Sequence, residues 1–341
     1  MTRLERRYRL LLRVLPRWYR REREEEMVAT YLCARHHTDP DEEALDLEYG
    51  WPGWPEAWAT AALAVRTRLA ATAAPPRVLV LSRTVRLAAL LGLLTQSALA
   101  AATLVNMVAT VLLHPHDDVS TPTTTGEAIL LLCPVATLVL LVRGHRTWAR
   151  ITAAAAVAPT LIGLTNTVIG PTALWPLTTV DLPLWVAVIC LYAGFHHEAP
   201  TPRAAPWLRA QAVAIGLGMV WIAVTMLVGS APWAWVTIDN TGAVMNSIIV
   251  VAGLAGLLLA PRRGPTFHAW AGGLAICAAS SLPLQAGSVW FASQLHSQGT
   301  IGTAPLVWAY AQVALLLAVT TATATVGFRA WHQASPLPDR S

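Results

Sequence analysis

Four groups of residues in this 341-residue sequence bring ionisable or soft side chains close enough together to consider chemistry. His114, His116, Asp117 and Asp118 form one, and His196, His197 and Glu198 another; either holds the residue types that general acid–base work at the end of a membrane span would need. Each lies in a short polar connection between apolar segments, where solvation accounts for the composition. Cys33, His36 and His37 could offer a soft metal three donors within five residues. A zinc site wants a partner pair elsewhere in the same domain, and the sequence supplies none. Asp41, Glu42, Glu43, Asp46 and Glu48 read as a solvated acidic loop. No catalytic, cofactor-binding or metal-binding residue is therefore assigned, no cofactor is expected, and the chain is expected not to be an enzyme.

The apolar segments themselves hold a different set of polar groups. Gln96, Asn106, Asn166, Gln211, Asn246, Gln285 and Gln312 are neutral amides, and no charged residue is placed in the interior of an expected span. Ion paths and proton relays depend on intramembrane charges, each costing about 3 kcal/mol or more at a helix centre. Neutral amides more often tie helices together. The expectation is interhelical hydrogen bonding, and an ion-coupled transporter is disfavoured. Gly253 to Gly256 and Gly216 to Gly218 are small-residue spacings expected to permit close helix packing. The four cysteines, Cys33, Cys133, Cys190 and Cys277, suggest neither a disulfide framework nor a paired metal site.

Positioning such groups is a task for membrane helices. The chain is 55% hydrophobic and 13% charged, where an ordinary soluble domain carries about 25% charged residues. Residues 1 to 83 hold 14 Arg and 12 acids, leaving 10 Arg and 7 acids to the remaining 258 positions. Two regions with different solvents follow, and the sequence pI of 9.4 reflects Arg in short loops rather than a nucleic-acid surface. With no apolar run in the first 30 residues, no cleavable signal peptide is expected, and the first span is expected to direct insertion.

Eight apolar segments are expected to cross the bilayer, at Leu87 to Leu113, Glu127 to Val142, Trp148 to Ile169, Leu182 to Phe195, Ala210 to Gly229, Gly242 to Ala260, Phe267 to Gly287 and Ala304 to Phe328. The second and fourth are short. Arg77, Arg83 and Arg86 precede the first; Arg143, Arg146 and Arg150 lie between the second and third; Arg203 and Arg209 between the fourth and fifth. Arg262 and Arg263 lie between the sixth and seventh, and Arg329 follows the eighth. The alternate loops, HPHDDVSTPTTTG, GPTALWPLTTVD, APWAWVTIDNT and SVWFASQLHSQGTIGT, contain no Arg. Because Arg near span ends is retained in the cytoplasm, the alternation predicts a multi-pass plasma-membrane protein with both termini cytoplasmic. Trp148, Trp207, Trp270 and Trp331 at one set of ends, and Trp175, Trp233, Trp235 and Trp290 at the other, fit interfacial anchoring. A weaker pattern, LVRGHRTWAR and LLLAPRRGPTFHAW, each before a helix containing Pro159 or Pro283, is what a four-plus-four repeat would leave.

The N-terminal 75 residues are expected to form a cytoplasmic three-helix domain, followed by the membrane domain at 84–330 and a short tail at 331–341. Leu4, Tyr8, Leu11, Leu12 and Leu15 recur at helical spacing opposite Arg3, Arg6, Arg7, Arg9 and Arg13. Pro16 ends that helix, and RWYRREREEEMVATYLCAR makes a second. WPGWPEAWATAALAVRTRLA starts a third, with Pro55 in its first turn and Trp58, Ala62, Val65 and Leu69 along one stripe. Residues 1 to 23 carry nine Arg against two Glu, and residues 24 to 56 one Arg against ten acids. Internal pairing is the expected consequence; the alternative lays the first helix on anionic lipid. Nucleic-acid binding is not expected, since no helix-turn-helix Gly turn separates the second and third helices.

LLLRVLPRWYRREREEEMVAT followed, across an acidic loop, by WPEAWATAALAVRTRL resembles the small helical prefix domain that precedes the membrane spans of many actinobacterial and other Gram-positive membrane proteins. It is similar to the prefix of certain permease subunits and of membrane proteins paired with PadR-type regulators. The carrying features are Leu11-Leu12-Arg13 with Leu15-Pro16, the stretch from Tyr19 to Met27 with its Glu run, and the close from Arg66 to Leu69, covering about a fifth of the chain. The resemblance implies an actinobacterial membrane protein linked to regulation or export, and names no activity. The functional expectation is a regulatory or scaffold membrane component whose N-terminal domain binds a protein partner; the alternative is a transporter or permease subunit.

Overall fold

The computed structural model describes residues 2–35, 41, 45, 48–69, 76–113, 129–169, 175–196, 199–227, 241–259, 265–299 and 302–333. Among these the chain is all-helical, with no strand. It divides into two units, Met1–Ser82 and Arg83–Ser341.

In the first unit, α1 (Arg3–Leu12) starts on a capping arrangement in which the Thr2 hydroxyl accepts from the Glu5 N–H at 3.2 Å. Such a cap satisfies one of the orphan donors of the first turn. The helix buries Leu4, Tyr8 and Leu12 at a spacing of four, with Leu15 just beyond it. Pro16 stands at the N-cap of α2 (Arg17–Ala34), which adds Val28 and Tyr31 to the same core. The Tyr8 and Tyr31 rings stack with centroids 4.0 Å apart. α3 (Trp54–Arg68) has Pro55 in its first turn, as expected.

The buried face of α3 is not the expected one. Thr60, Ala64 and Thr67 are its buried residues, Ala64 joining the Leu4–Tyr31 cluster, while Trp58, Ala62 and Val65 are exposed. Of the expected stripe only Leu69 is buried. Small side chains let α3 lie close to α1, and the Thr67 hydroxyl donates to the Leu63 carbonyl at 2.9 Å, so burying it leaves no polar group unmet. Arg68 closes the arrangement by donating to the Val14 carbonyl at 2.7 Å.

The second unit is built from α4 (Pro76–Leu113, which begins just before the boundary), α5 (Cys133–Val142), α6 (Arg146–Ile169), α7 (Trp175–Gly194), α8 (Ala204–Leu227), α9 (Thr241–Leu259), α10 (Pro265–Ser297) and α11 (Thr303–Gln333). Four of these, in α4, α8, α10 and α11, are long and apolar enough to cross a membrane: Pro76–Ala109, Ala204–Thr225, Thr266–Ser297 and Thr303–Arg329. That makes this a membrane protein on length and composition. The most apolar stretch of α4 is 67% buried, against 28% in α8 and 22% in α11. α4 is therefore the helix around which the others pack. Its Ala88, Ala89, Leu90, Leu93 and Leu94 meet Leu138 and Leu141 of α5, Ala149 and Ala153 of α6, Leu184 and Leu191 of α7, and Ala214 of α8.

Several segment boundaries differ from those expected. The second segment is helical from Ile129 to Val142 with a turn at Leu132 and Pro134 in the first turn of α5, and Glu127 and Ala128 lie outside the described residues. Those 14 residues rise about 21 Å, short of the hydrocarbon thickness of about 30 Å. The fourth begins at Trp175 rather than Leu182, because Pro176 suits a first turn, and its 20 residues run through Pro183. Asp181 thus stands within a helix and not in an Arg-free loop, one residue ahead of the apolar stretch Leu182–Gly194. The seventh continues from Gly287 to Ser297, taking in ten residues of the expected loop SVWFASQLHSQGTIGT. That extension is packed: Ala292 is buried with Ala309 of α11, flanked by Val289, Leu295 and Leu306. The last helix reaches Gln333, past the expected start of the tail at 331, and 334–341 lie outside the described residues.

Candidate functional site

In the first unit the basic face of α1 is engaged. Arg9 forms a two-pronged pair with Glu25 at 2.7 and 2.8 Å and bonds Glu5 at 3.0 Å, with Glu24 at 3.6 Å. Hydrogen bonding from Arg9 holds the Glu25 carboxyl below its ordinary value. Arg3 reaches Glu48 at 3.8 Å, and Arg7 donates to the Tyr49 and Gly50 carbonyls at 2.9 and 2.6 Å. The expected internal pairing is present, between helices as well as from helix to loop. Burial, with the nearby Tyr31 and Glu56, raises the Tyr8 phenol.

The Arg7 guanidinium also sits 4.8 Å from the Trp51 ring, and Arg35 donates to the Trp51 carbonyl at 3.3 Å. Trp51 is held in place while 69% exposed. Beside it in sequence, Trp54 is 79% and Trp58 71% exposed, and with Ala62 and Val65 they line one side of α3 at helical spacing. Trp54 and Trp58 thus leave large apolar area in solvent on one side of α3, next to the held Trp51. Hydrophobic spacing alone groups Trp58, Ala62 and Val65 with Leu69 along one stripe.

In the second unit two of the amides bond across helices as expected. Gln211 of α8 donates to the Ser97 hydroxyl of α4 at 3.1 Å and to the Val135 carbonyl of α5 at 3.0 Å. Gln285 of α10, fully buried, donates to the Ser247 hydroxyl of α9 at 2.9 Å. Gln96, Asn246 and Gln312 are buried, Asn106 is half-buried, and the side chain of Asn166 lies outside the described residues. Thr137 donates to Thr152 at 2.8 Å between α5 and α6. At Gly218, but not at Gly216, another helix arrives at backbone distance: a methyl group there would collide with the Ala98 carbonyl of α4. A Cβ at Gly253 would meet the Leu274 side chain at 2.8 Å, while the surroundings of Gly256 lie outside the described residues.

The loop Arg residues do more than flank helices. Arg146 donates to the His196 carbonyl at 2.7 Å and to the Ala199 carbonyl, and Arg150 donates to the Phe195 carbonyl at 3.0 Å, tying down the connection after α7. Next to this connection lies a cavity of about 390 Å³, with Arg83, Arg86 and Arg203 in its wall. It adjoins a second cavity of about 650 Å³, lined almost wholly by apolar side chains of α4, α8, α9 and α10. Trp207, Thr266 and Trp270 belong to both. The two indoles stack, 6.1 Å between ring centroids and 7° between planes. Sequence placed both at helix ends as anchors; no sequence signal pairs them.

Of the clusters that could do chemistry, His114, His116, Asp117, Asp118, His197, Glu198, His36 and His37 lie outside the described residues, as do Trp233 and Trp235. His196 is buried and Cys33 exposed. Among the described residues no three His, Cys, Asp or Glu come together in a way that could hold a metal. No protein-family model matches the chain, and neither a curated protein nor a solved structure does.

Proposed function

We propose that this protein is a non-enzymatic regulatory or scaffold component of the cell membrane, whose N-terminal unit binds a protein partner through the outward face of α3. The observation that carries the reading is the row Trp54, Trp58, Ala62 and Val65, exposed beside the pinned Trp51. Trp, Tyr and Arg dominate the centres of protein interfaces, and Trp51, Tyr49 and Arg7 supply all three beside α3. The competing occupant, an anionic lipid surface, would draw on the basic face of α1, where Arg9 is committed to Glu5, Glu24 and Glu25, Arg3 reaches Glu48, and Arg7 bonds the Tyr49 and Gly50 carbonyls. The prefix-like sequence pattern supports the same reading.

A photo-crosslinking residue at position 54, 58 or 62, activated in native membranes, should give one and the same protein adduct from all three sites and none from position 21 on α2. Lipid adducts alone, or different proteins from each site, would remove the proposal. The alternative of a transporter or permease subunit draws on the apolar segments and on Pro159 and Pro283 inside α6 and α10. Gln211 and Gln285, two of the amides that would line its path, are instead engaged across helices.

A further inference from the structure

The paired cavities of the second unit have the form of a site for one amphiphilic molecule. The larger, about 650 Å³, falls within the range of small-molecule pockets, and Leu91, Val213, Leu217, Ile248 and Ala252 give it an apolar wall. The smaller is lined by three Arg and, among its described lining residues, by no Asp or Glu. Arg83 and Arg86 stand one turn apart on α4, and Arg203 immediately precedes α8. The first turns of α8 and α10 also enter the wall of this cavity, through Pro206 and Thr266. Helix N-termini carry partial positive charge and attract anions. Three guanidinium groups and two such termini around one cavity call for a negative group.

The partition between the chambers is chemical as well as spatial. Trp207 and Trp270 stack where the charged chamber meets the apolar one, and indole is the side chain that favours such a boundary. A free phosphate would satisfy the Arg groups and leave the apolar chamber unused. An apolar ligand would do the reverse. The geometry points to a membrane phospholipid with an anionic headgroup, its phosphate among Arg83, Arg86 and Arg203 and an acyl chain along α8 and α9. Basic pockets between membrane helices recognise anionic headgroups in this way.

The test uses the full chain in dodecyl maltoside, with native mass spectrometry reading bound lipid for dioleoyl phosphatidylglycerol, dioleoyl phosphatidylcholine and inorganic phosphate. The wild type should retain one phosphatidylglycerol at least tenfold more tightly than phosphatidylcholine. Arg83→Gln and Arg203→Gln, both at exposed positions, should each weaken the anionic lipid about tenfold, as loss of a charge-assisted bond does, and leave phosphatidylcholine unchanged. Ala252→Trp, filling the apolar chamber from an exposed position, should weaken phosphatidylglycerol and spare inorganic phosphate. Equal retention of the two lipids by the wild type would overturn the proposal without recourse to any variant. So would inorganic phosphate displacing the lipid completely while Ala252→Trp has no effect, since that would describe an anion site alone.

Discussion

Single residues decide how closely these helices approach. At Gly218 the Ala98 carbonyl leaves no room for a methyl group, whereas at Gly216 nothing stands within 4 Å. Gly218→Ala should therefore cost about 1–3 kcal/mol through overpacking, while Gly216→Ala should be neutral or slightly stabilising; melting of the purified protein in detergent compares the two. Gln211→Leu removes two bonds between helices and should cost about 1 kcal/mol in the same measurement. In the first unit, Glu25 titrates below its ordinary value because Arg9 favours the charged form. A depressed carboxyl stabilises the fold above the unfolded value of 4.5, and that contribution is lost as pH falls through the folded value. Hydrogen exchange of α1 and α2, corrected for its intrinsic pH dependence, should show protection falling below pH 4.5 in the wild type and a flatter profile in Glu25→Gln.

At the scale of elements, the limits of sequence reading have definite causes. Period and proline position made α1, α2 and α3 legible, because Leu4, Tyr8 and Leu12 keep helical spacing and Pro16 and Pro55 mark starts that local chemistry enforces. Which face of α3 is buried was not legible: hydrophobicity favours Trp58 and Val65, while close packing against α1 selects Thr60, Ala64 and Thr67. The lengthening of α10 was hidden for a related reason, since SVWFASQLHS is polar enough to read as a loop and is helical because Ala292 packs on Ala309. The stacked Trp207 and Trp270 belong to helices far apart in sequence, so no local pattern could join them. If the outward face of α3 is held for a partner, Trp54→Ala with Trp58→Ala should leave stability unchanged within about 0.5 kcal/mol, because both side chains are already in solvent. Thr67→Val on the buried face tests the other side of the same helix: it keeps the volume, removes a hydroxyl that donates to Leu63, and should shift stability while leaving partner crosslinks from position 58 intact.

For the whole molecule, the arrangement of Arg yields the strongest prediction. Eleven Arg flank alternate connections and none occupies the others, an order that supports eight crossings with both termini cytoplasmic. A reporter active only in the cytoplasm should work when fused after Arg146, Arg203, Arg263 or Arg340, and be silent after Thr123, Thr172, Asp239 or Ser297. Ser297 is suited to this because α10 ends there, and Thr172 lies ahead of α7, which begins at Trp175. With 20 residues, α7 rises about 30 Å at 1.5 Å per residue, of which the apolar stretch Leu182–Gly194 supplies about 20 Å. The test falls on α5 as well, where the helical segment Ile129–Val142 covers about 21 Å. If α5 and the residues before it do not cross, Thr123 and Arg146 will report the same side. Every downstream pair would then invert relative to Arg77, which the positive-inside rule resists because it would move Arg203, Arg209, Arg262 and Arg263 out of the cytoplasm. Opposite sides for Thr123 and Arg146 is the expected result, and identical sides would replace the eight-crossing arrangement with one in which α5 enters the membrane and turns back.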